Sequence, residues 1–227
     1  YDGIAIRSAT KMTENIIKNA KKLKVIGRAG IGIDNVDIVS ATSNGVIVMN
    51  TPFGNSVTTA EHAISLMLSL ARQIPEADYS TKSSLWEKSK FMGVEITHKT
   101  LGVIGCGNIG SIVIDRAKGM KMKVIGYDPY LTEERAGNLG IEKVNLEDIF
   151  KRSDFITIHT PLTDKTRNII NAASIKLMRP SVRIINCARG GLVDEKALFN
   201  ALKENKIAGA AIDVYEEEPA KNNPLFD

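Results

Sequence analysis

Two hydrophobic patterns alternate along the chain. Short continuous apolar runs read as strands covered on both faces, and longer runs with apolar residues every three or four positions read as helices laid against them. Strands are expected at 1–6, 24–26 and 46–49, then at 101–104, 123–127, 154–159, 182–186 and 208–214. Between them, helices are expected from a Thr13 cap to residue 22, from Asp34 or Asn35 to 42, from about 108, and at 132–139, 146–151, 172–178 and 194–205, the last capped by Asp194. This regular alternation predicts an α/β chain with parallel sheets. Its small opening βαβαβ unit is interrupted at Pro52, which cannot continue a strand ladder.

The pattern changes between the break and the strand at 101. Residues 57–72 carry apolar side chains too densely for one surface stripe (Ala60, Ala63, Ile64, Leu66, Met67, Leu68, Leu70), so this helix is expected to be buried in a core or against a partner subunit. Residues 75–99 are more polar, hold the single tryptophan, Trp86, and read as an arm leading to the next strand. The resulting division is a small α/β unit at 1–51 and a larger one at 52–227, which opens with the dense helix and the arm at 52–100.

Residues 101–110, LGVIGCGNIG, carry the chemistry: a strand runs into a Gly-x-Gly-x-x-Gly turn and then a helix. Gly105 makes the tight turn, Gly107 lets a pyrophosphate reach the backbone, and Gly110 lets helix and strand pack closely. Free N–H groups and positive dipole at the helix start near Asn108 complete an anion site. The next strand ends in Asp128, at the offset where a carboxylate meets ribose hydroxyls. A carboxylate there accepts from a 2′-hydroxyl and repels a 2′-phosphate, which predicts NAD as cofactor and not NADP.

Composition narrows the class. With 43% apolar and 25% charged residues the 227-residue chain has an ordinary globular balance, so a sizeable core is expected. The net charge of +4 comes from scattered lysines with no basic helical stripe, which argues against a nucleic-acid partner and for anionic small molecules. Cys106 and Cys187 have no metal-ligand spacing and read as free thiols of a reducing compartment, and no metal is expected. The longest apolar run, around 64–71, is too short to span a bilayer, so a cytoplasmic enzyme without a membrane partner is expected.

Ligands bind parallel sheets at the carboxyl ends of the strands. Those ends hold Gly105–Gly110, Asp128, His159-Thr160-Pro161, Cys187-Ala188-Arg189-Gly190-Gly191 and the run from Asp213 to Pro219. Together with Arg7, the Arg28-Ala29-Gly30 turn, residues 35–37 and residues 50–56, they closely resemble the D-2-hydroxyacid dehydrogenase family, in particular its phosphoglycerate-oxidising members, over essentially the whole chain. The most specific block is 186–195, NCARGGLVDE.

That resemblance implies a partial, flavodoxin-like substrate-binding domain at 1–51 and a Rossmann-type NAD-binding domain at 52–227, with a dimerisation helix and arm at 52–100. It also implies NAD-dependent hydride transfer from a 2-hydroxy acid, here 3-phosphoglycerate to phosphohydroxypyruvate, the first step of serine biosynthesis, by a homodimer. It assigns Arg189 to the substrate carboxylate and Glu218 to a catalytic histidine whose pKa it raises. It places Asn108 and Ile109 at the pyrophosphate, Asp128 at the ribose, Thr160 and Pro161 beside the adenosine half, and Cys187, Ala188, Arg189 and Asp213 around the nicotinamide. Arg7, Arg28, Ala29 and Gly30 are the implied substrate-binding residues. From the residues alone, Arg189 fits a surface arginine at a helix start equally well, Glu218 a solvated acidic run, Asp213 a turn cap, and Arg7 and Arg28 surface charges. Pro219 favours an extended Glu218 that would aim inward. The family's catalytic histidine is expected beyond Asp227, and none of His62, His98 and His159 matches it by motif. The chain therefore reads as truncated at both ends, with NAD binding retained and turnover impaired. A glyoxylate or hydroxypyruvate reductase, or a D-lactate dehydrogenase, is the competing enzyme reading, and an NADH-sensing corepressor the competing non-enzyme.

Overall fold

The computed structural model describes residues 1–226. Two compact units divide the chain, Tyr1–Ser56 and the remainder. In the first, β1 (Gly3–Ile6), β2 (Val25–Arg28) and β3 (Ile47–Asn50) form a parallel sheet in sequence order, with α1 (Glu14–Asn19) and α2 (Ile38–Ser43) as its connections. Its core gathers Ile6, Met12, Ile17, Leu23, Ile26, Val36, Ala41 and Val46. The second helix begins later than Asp34 or Asn35. Asp37 is the cap, its Oδ1 accepting from the Ser40 amide at 2.8 Å, while Val36 is tied up in an isolated bridge to Met12. Asn35 instead donates from Nδ2 to the carbonyls of Arg7 and Thr10, at 2.9 and 2.6 Å.

The second unit opens with α3 (Ser56–Arg72) and α4 (Ile74–Lys82). Its sheet consists of β4 (Thr100–Ile104), β5 (Lys123–Tyr127), β6 (Glu142–Lys143), β7 (Phe155–Ile158), β8 (Arg183–Asn186) and β9 (Gly209–Ile212). The spatial order is β6-β5-β4-β7-β8-β9 and every pair is parallel. Renumbered from β4, this is the 3-2-1-4-5-6 order of the doubly wound dinucleotide fold, with its topological switch point between β4 and β7. The connecting helices are α5 (Asn108–Gly119), α6 (Glu133–Leu139), α7 (Leu146–Arg152), α8 (Ala172–Ile175) and α9 (Glu195–Lys203), and a 3-10 turn, Pro224–Phe226, follows β9. One apolar layer, including Leu101, Val103, Val113, Ile114 and Ala117, lies with α3, α5 and α6. The other, including Ile104, Ile149, Phe150, Ile156 and Leu198, lies with α7, α8 and α9. Coverage on both faces is why these strands are apolar without alternation.

Two elements depart from the sequence expectation. The polar arm begins with a helix, α4, separated from α3 by Gln73 in the left-handed conformation (φ 52°), with Pro75 in its first turn. Within this chain helix α3 is buried along one stripe. Ala60, Ala63, Met67 and Ala71 form its buried stripe, whereas Val57 and Leu68 are exposed. The two-residue strand β6 was not anticipated, because Glu142 and Lys143 carry no apolar signal.

Candidate functional site

The glycine turn leaves β4 beside the end of β7. Gly105 has φ 93°, and a Cβ there would lie 2.6 Å from the His159 carbonyl oxygen, so neither its backbone nor its neighbour admits a side chain. A Cβ on Gly110 would lie 2.0 Å from the Gly105 carbonyl oxygen, which is how closely α5 sits on the turn. Gly107 is different: a Cβ would meet nothing within 4 Å, so its backbone faces open space. The chain's own packing thus requires glycine at positions 105 and 110 and leaves the space at Gly107 open.

Helix α5 starts at that open space with no side-chain cap. The four later helices are each capped, by Thr132, Asn145, Asn171 and Asp194. The first α5 amide with an intrahelical partner is that of Ser111, which donates to the Gly107 carbonyl at 2.9 Å. Uncapped first-turn amides at a helix start are the donors an anion requires.

Asp128 closes the turn from the end of β5. Its Oδ2 accepts from the Cys106 amide at 3.0 Å and its Oδ1 from the Tyr130 amide at 2.8 Å. Each oxygen keeps a further lone-pair direction for a hydroxyl donor. Arg135 donates to the Cys106 carbonyl at 3.2 Å, so the turn is gripped from both sides. Burial, reinforced by the Asp128 charge, pushes the Cys106 thiol up to about 12, and it stays protonated.

Past β7, His159 Nε2 lies 2.9 Å from Thr157 Oγ1, while His159 Nδ1 and Thr160 Oγ1 are buried without a hydrogen-bond partner. The imidazole is enclosed although the residue as a whole keeps some exposed surface, and burial lowers its pKa to about 4. It is therefore neutral at pH 7. Pro161 is exposed.

Past β8, Asn186 shapes the loop: its Nδ2 donates to the Arg189 carbonyl at 2.9 Å and its Oδ1 accepts from the Ala188 amide at 3.1 Å. Arg189 donates from Nη1 to the Ala188 carbonyl at 2.6 Å. The loop after β9 lies directly on this turn, since a Cβ on Gly190 would sit 1.8 Å from the Tyr215 carbonyl oxygen. Glu218 is exposed, and its Oε1 accepts from the Tyr215 amide at 3.1 Å. Glu195, in the first turn of α9, holds the same loop twice, accepting from the Glu216 amide at 2.7 Å and from Asn223 Nδ2 at 2.6 Å. Cys187 faces the Thr59 carbonyl at 4.0 Å, and burial beside Asp213 raises its thiol to about 11. His62 Nε2 lies 3.2 Å from Asp213 Oδ2.

Residues 64–227 match the family profile of the D-isomer specific 2-hydroxyacid dehydrogenase, NAD binding domain. The chain belongs to the D-isomer-specific 2-hydroxyacid dehydrogenase family. It is 53% identical over 226 residues to a D-3-phosphoglycerate dehydrogenase of Methanocaldococcus jannaschii, covering 99% of this chain and 43% of that protein. The human D-3-phosphoglycerate dehydrogenase is 48% identical over 226 residues, covering 100% of this chain and 42% of its own length. Among solved structures, the D-lactate dehydrogenase of Aquifex aeolicus complexed with NAD and lactic acid superposes with a TM-score of 0.90 at 30% identity, covering 99% of this chain and 71% of that one. The chain spans less than half the length of these two curated relatives.

As the NAD-binding domain of a 2-hydroxyacid dehydrogenase, the second unit has a site that fits the dinucleotide. Open space over Gly107 and uncapped amides on α5 suit a pyrophosphate. Thr160 Oγ1, buried without a partner beside the turn, is a polar group that a ligand would satisfy. Around the loops after β8 and β9 the structure brings Cys187 together with Asp213, and Gly190 against the backbone of the Glu218 loop. In the first unit, Arg28 donates to the Ala29 carbonyl at 3.3 Å, and its Nε is buried without a partner. Its guanidinium occupies the space where a Gly30 Cβ would go. Arg7 is exposed just past β1. The parts the sequence pattern did not assign are Asn186, which bonds to backbone atoms two and three residues on, and Arg135 and Glu195, whose partners lie 21 to 29 residues away. Among the described residues no group of three or more His, Cys, Asp or Glu could hold a metal, and no helix is long and apolar enough to cross a membrane.

Proposed function

We propose that this chain is the cofactor-binding part, with a portion of the substrate domain, of a dehydrogenase that oxidises 3-phosphoglycerate with NAD. The observation that carries the substrate class is the near-complete coverage of the chain by D-3-phosphoglycerate dehydrogenases at about half identity. Glyoxylate reductase and D-lactate dehydrogenase structures share the fold at 31% and 30% identity, and stand as the alternative.

In this reading the α5 amides and the Gly107 backbone bind the pyrophosphate, and Asp128 accepts from the ribose hydroxyls. NAD, when bound, supplies the hydride acceptor. Arg189 takes the substrate carboxylate in a charge-assisted pair, and its position is held by Asn186 and by the packing of Gly190 on Tyr215. Glu218 acts through a histidine supplied by sequence after Asp227, keeping that imidazole basic enough to take the hydroxyl proton. Arg7 and Arg28 receive the phosphate. An active homodimer is proposed to pair through α3 and α4, whose exposed Val57, Leu68, Ile74 and Tyr79 offer apolar surface.

Calorimetric titration of the chain with NADH tests the cofactor half. Saturable binding that exceeds NADPH binding, and that weakens about tenfold or more in Asp128→Ala, is expected. Equal binding of NADH and NADPH overturns the role of Asp128. Wild-type turnover of 3-phosphoglycerate by residues 1–227 alone would overturn the assignment of the proton acceptor to later sequence.

A further inference from the structure

Helix α3 reaches the carboxyl edge of the sheet through one turn. Thr59 and His62 are three residues apart and share a face. The Thr59 carbonyl faces the Cys187 thiol at the end of β8, and the His62 imidazole reaches the Asp213 carboxylate at the end of β9. The helix is anchored from beneath by the buried Ala60, Ala63, Met67 and Ala71. At Asp213 the backbone is fixed as well, because its amide donates to the Asn186 carbonyl at 3.0 Å. His62 Nε2 stands 3.2 Å from Oδ2, and Oδ1 makes no hydrogen bond among the described residues. Both side chains are about half exposed, 44% for His62 and 50% for Asp213, so this contact is not part of the core.

We propose that His62 is a positioning residue for the nicotinamide end of the site: by donating to Asp213 Oδ2 it holds Oδ1 ready to accept from the carboxamide of the cofactor. This rests on the proposed placement of Asp213 beside the nicotinamide. A half-exposed aspartate left alone rotates among rotamers, and each ligand contact it makes then costs the entropy of ordering it. A fixed donor removes that cost in advance. The adjacent Cys187 stays a neutral thiol, with its pKa near 11, and adds no competing charge.

The test compares NADH with ADP-ribose, which has the same pyrophosphate and adenosine but no nicotinamide, on the 227-residue chain. Asp213→Ala, His62→Ala, His62→Gln and the double variant Asp213→Ala/His62→Ala are titrated with both. If the placement of Asp213 holds, Asp213→Ala weakens NADH at least tenfold and leaves ADP-ribose within twofold. His62→Ala then weakens NADH about fivefold and ADP-ribose less than twofold. His62→Gln, whose amide N–H replaces the Nε2 donor, restores NADH affinity to within twofold of wild type. The double variant binds NADH no more weakly than Asp213→Ala, because the two act as one unit. A selective loss in Asp213→Ala with none in His62→Ala overturns the role of His62 while sparing the site. Equal loss of both ligands in His62→Ala shows a purely structural helix contact and also overturns it. No selective loss in Asp213→Ala sinks the placement of Asp213, and this inference with it. Because His62 lies outside the buried stripe, the variants are expected to retain the far-ultraviolet circular dichroism of the wild type, and His62→Gln supplies a near-isosteric variant if His62→Ala does not.

Discussion

His159 shows how one residue's surroundings decide its chemistry. Its imidazole is enclosed beside Thr157, and its pKa falls from an ordinary 6.5 to about 4. The unfolded chain therefore binds a proton between these values that the folded chain does not, and this residue's contribution to stability rises with pH across that window and is lost as pH falls through it. The full effect is about 3 kcal/mol. Urea titrations from pH 7.5 to 4 are expected to show a steeper loss of stability for wild type than for His159→Gln, and parallel curves would contradict the burial argument. At Gly105 the constraint is steric. Alanine there must hold φ near 93° and push against the His159 carbonyl, so Gly105→Ala is expected to cost about 3 kcal/mol and to abolish NADH binding, read by denaturation and by titration.

Among elements, the loop after β9 has little packing of its own and depends on α9. Glu195 takes two of its donors, Glu216 N and Asn223 Nδ2, and Tyr215 stacks edge-on against Phe226 with centroids 5.4 Å apart. Glu195→Ala is expected to lower the local stability of this loop by about 2 kcal/mol, allowing for its partial exposure. Hydrogen exchange at the Glu216 amide should then accelerate about thirtyfold, with the β9 amides unchanged. Uniform acceleration through β9 would show that Glu195 supports the whole sheet edge. The first turn of α5 makes the opposite point, because the role proposed for it lies in contacts it does not make with its own chain. Helices α6 to α9 are closed by side-chain caps, whereas α5, which starts at the glycine turn, is left open, as α1 and α4 also are.

At the scale of the molecule, two units with separate cores and separate sheets are expected to respond separately to ligand. NADH at about a hundred times its dissociation constant stabilises the state that binds it by about 2.7 kcal/mol. For a unit of this size that corresponds to a rise of about 5–10 °C in its melting temperature. Calorimetric scans are expected to move the transition of the dinucleotide unit and to leave that of residues 1–56 in place. A shift of both by the same amount would show that they unfold together.

That the larger sheet is parallel and covered on both faces was legible in the chain, because such strands need unbroken apolar runs, and β4, β5, β7, β8 and β9 have them; the order of those strands was decided by the tertiary structure. The glycine turn and Asp128 were legible for a related reason: close backbone approach and a carboxylate at a fixed offset are local requirements that leave local residues. Helix α4 was not, because Gln73 carries no turn signature and a helix with a polar exposed face resembles a loop in composition. The cap of α2 was misplaced because Asp34, Asn35 and Asp37 are all competent caps, and only the bridge from Val36 to Met12 decides among them. The contacts that finish the site lie further still from local pattern. Asp128 reaching the Cys106 amide, Glu195 reaching Glu216, and His62 reaching Asp213 join residues 22, 21 and 151 positions apart. A sequence specifies the residue types for such pairs through local chemistry, but which of them meet is settled by how helices and loops pack at the carboxyl edge of the sheet.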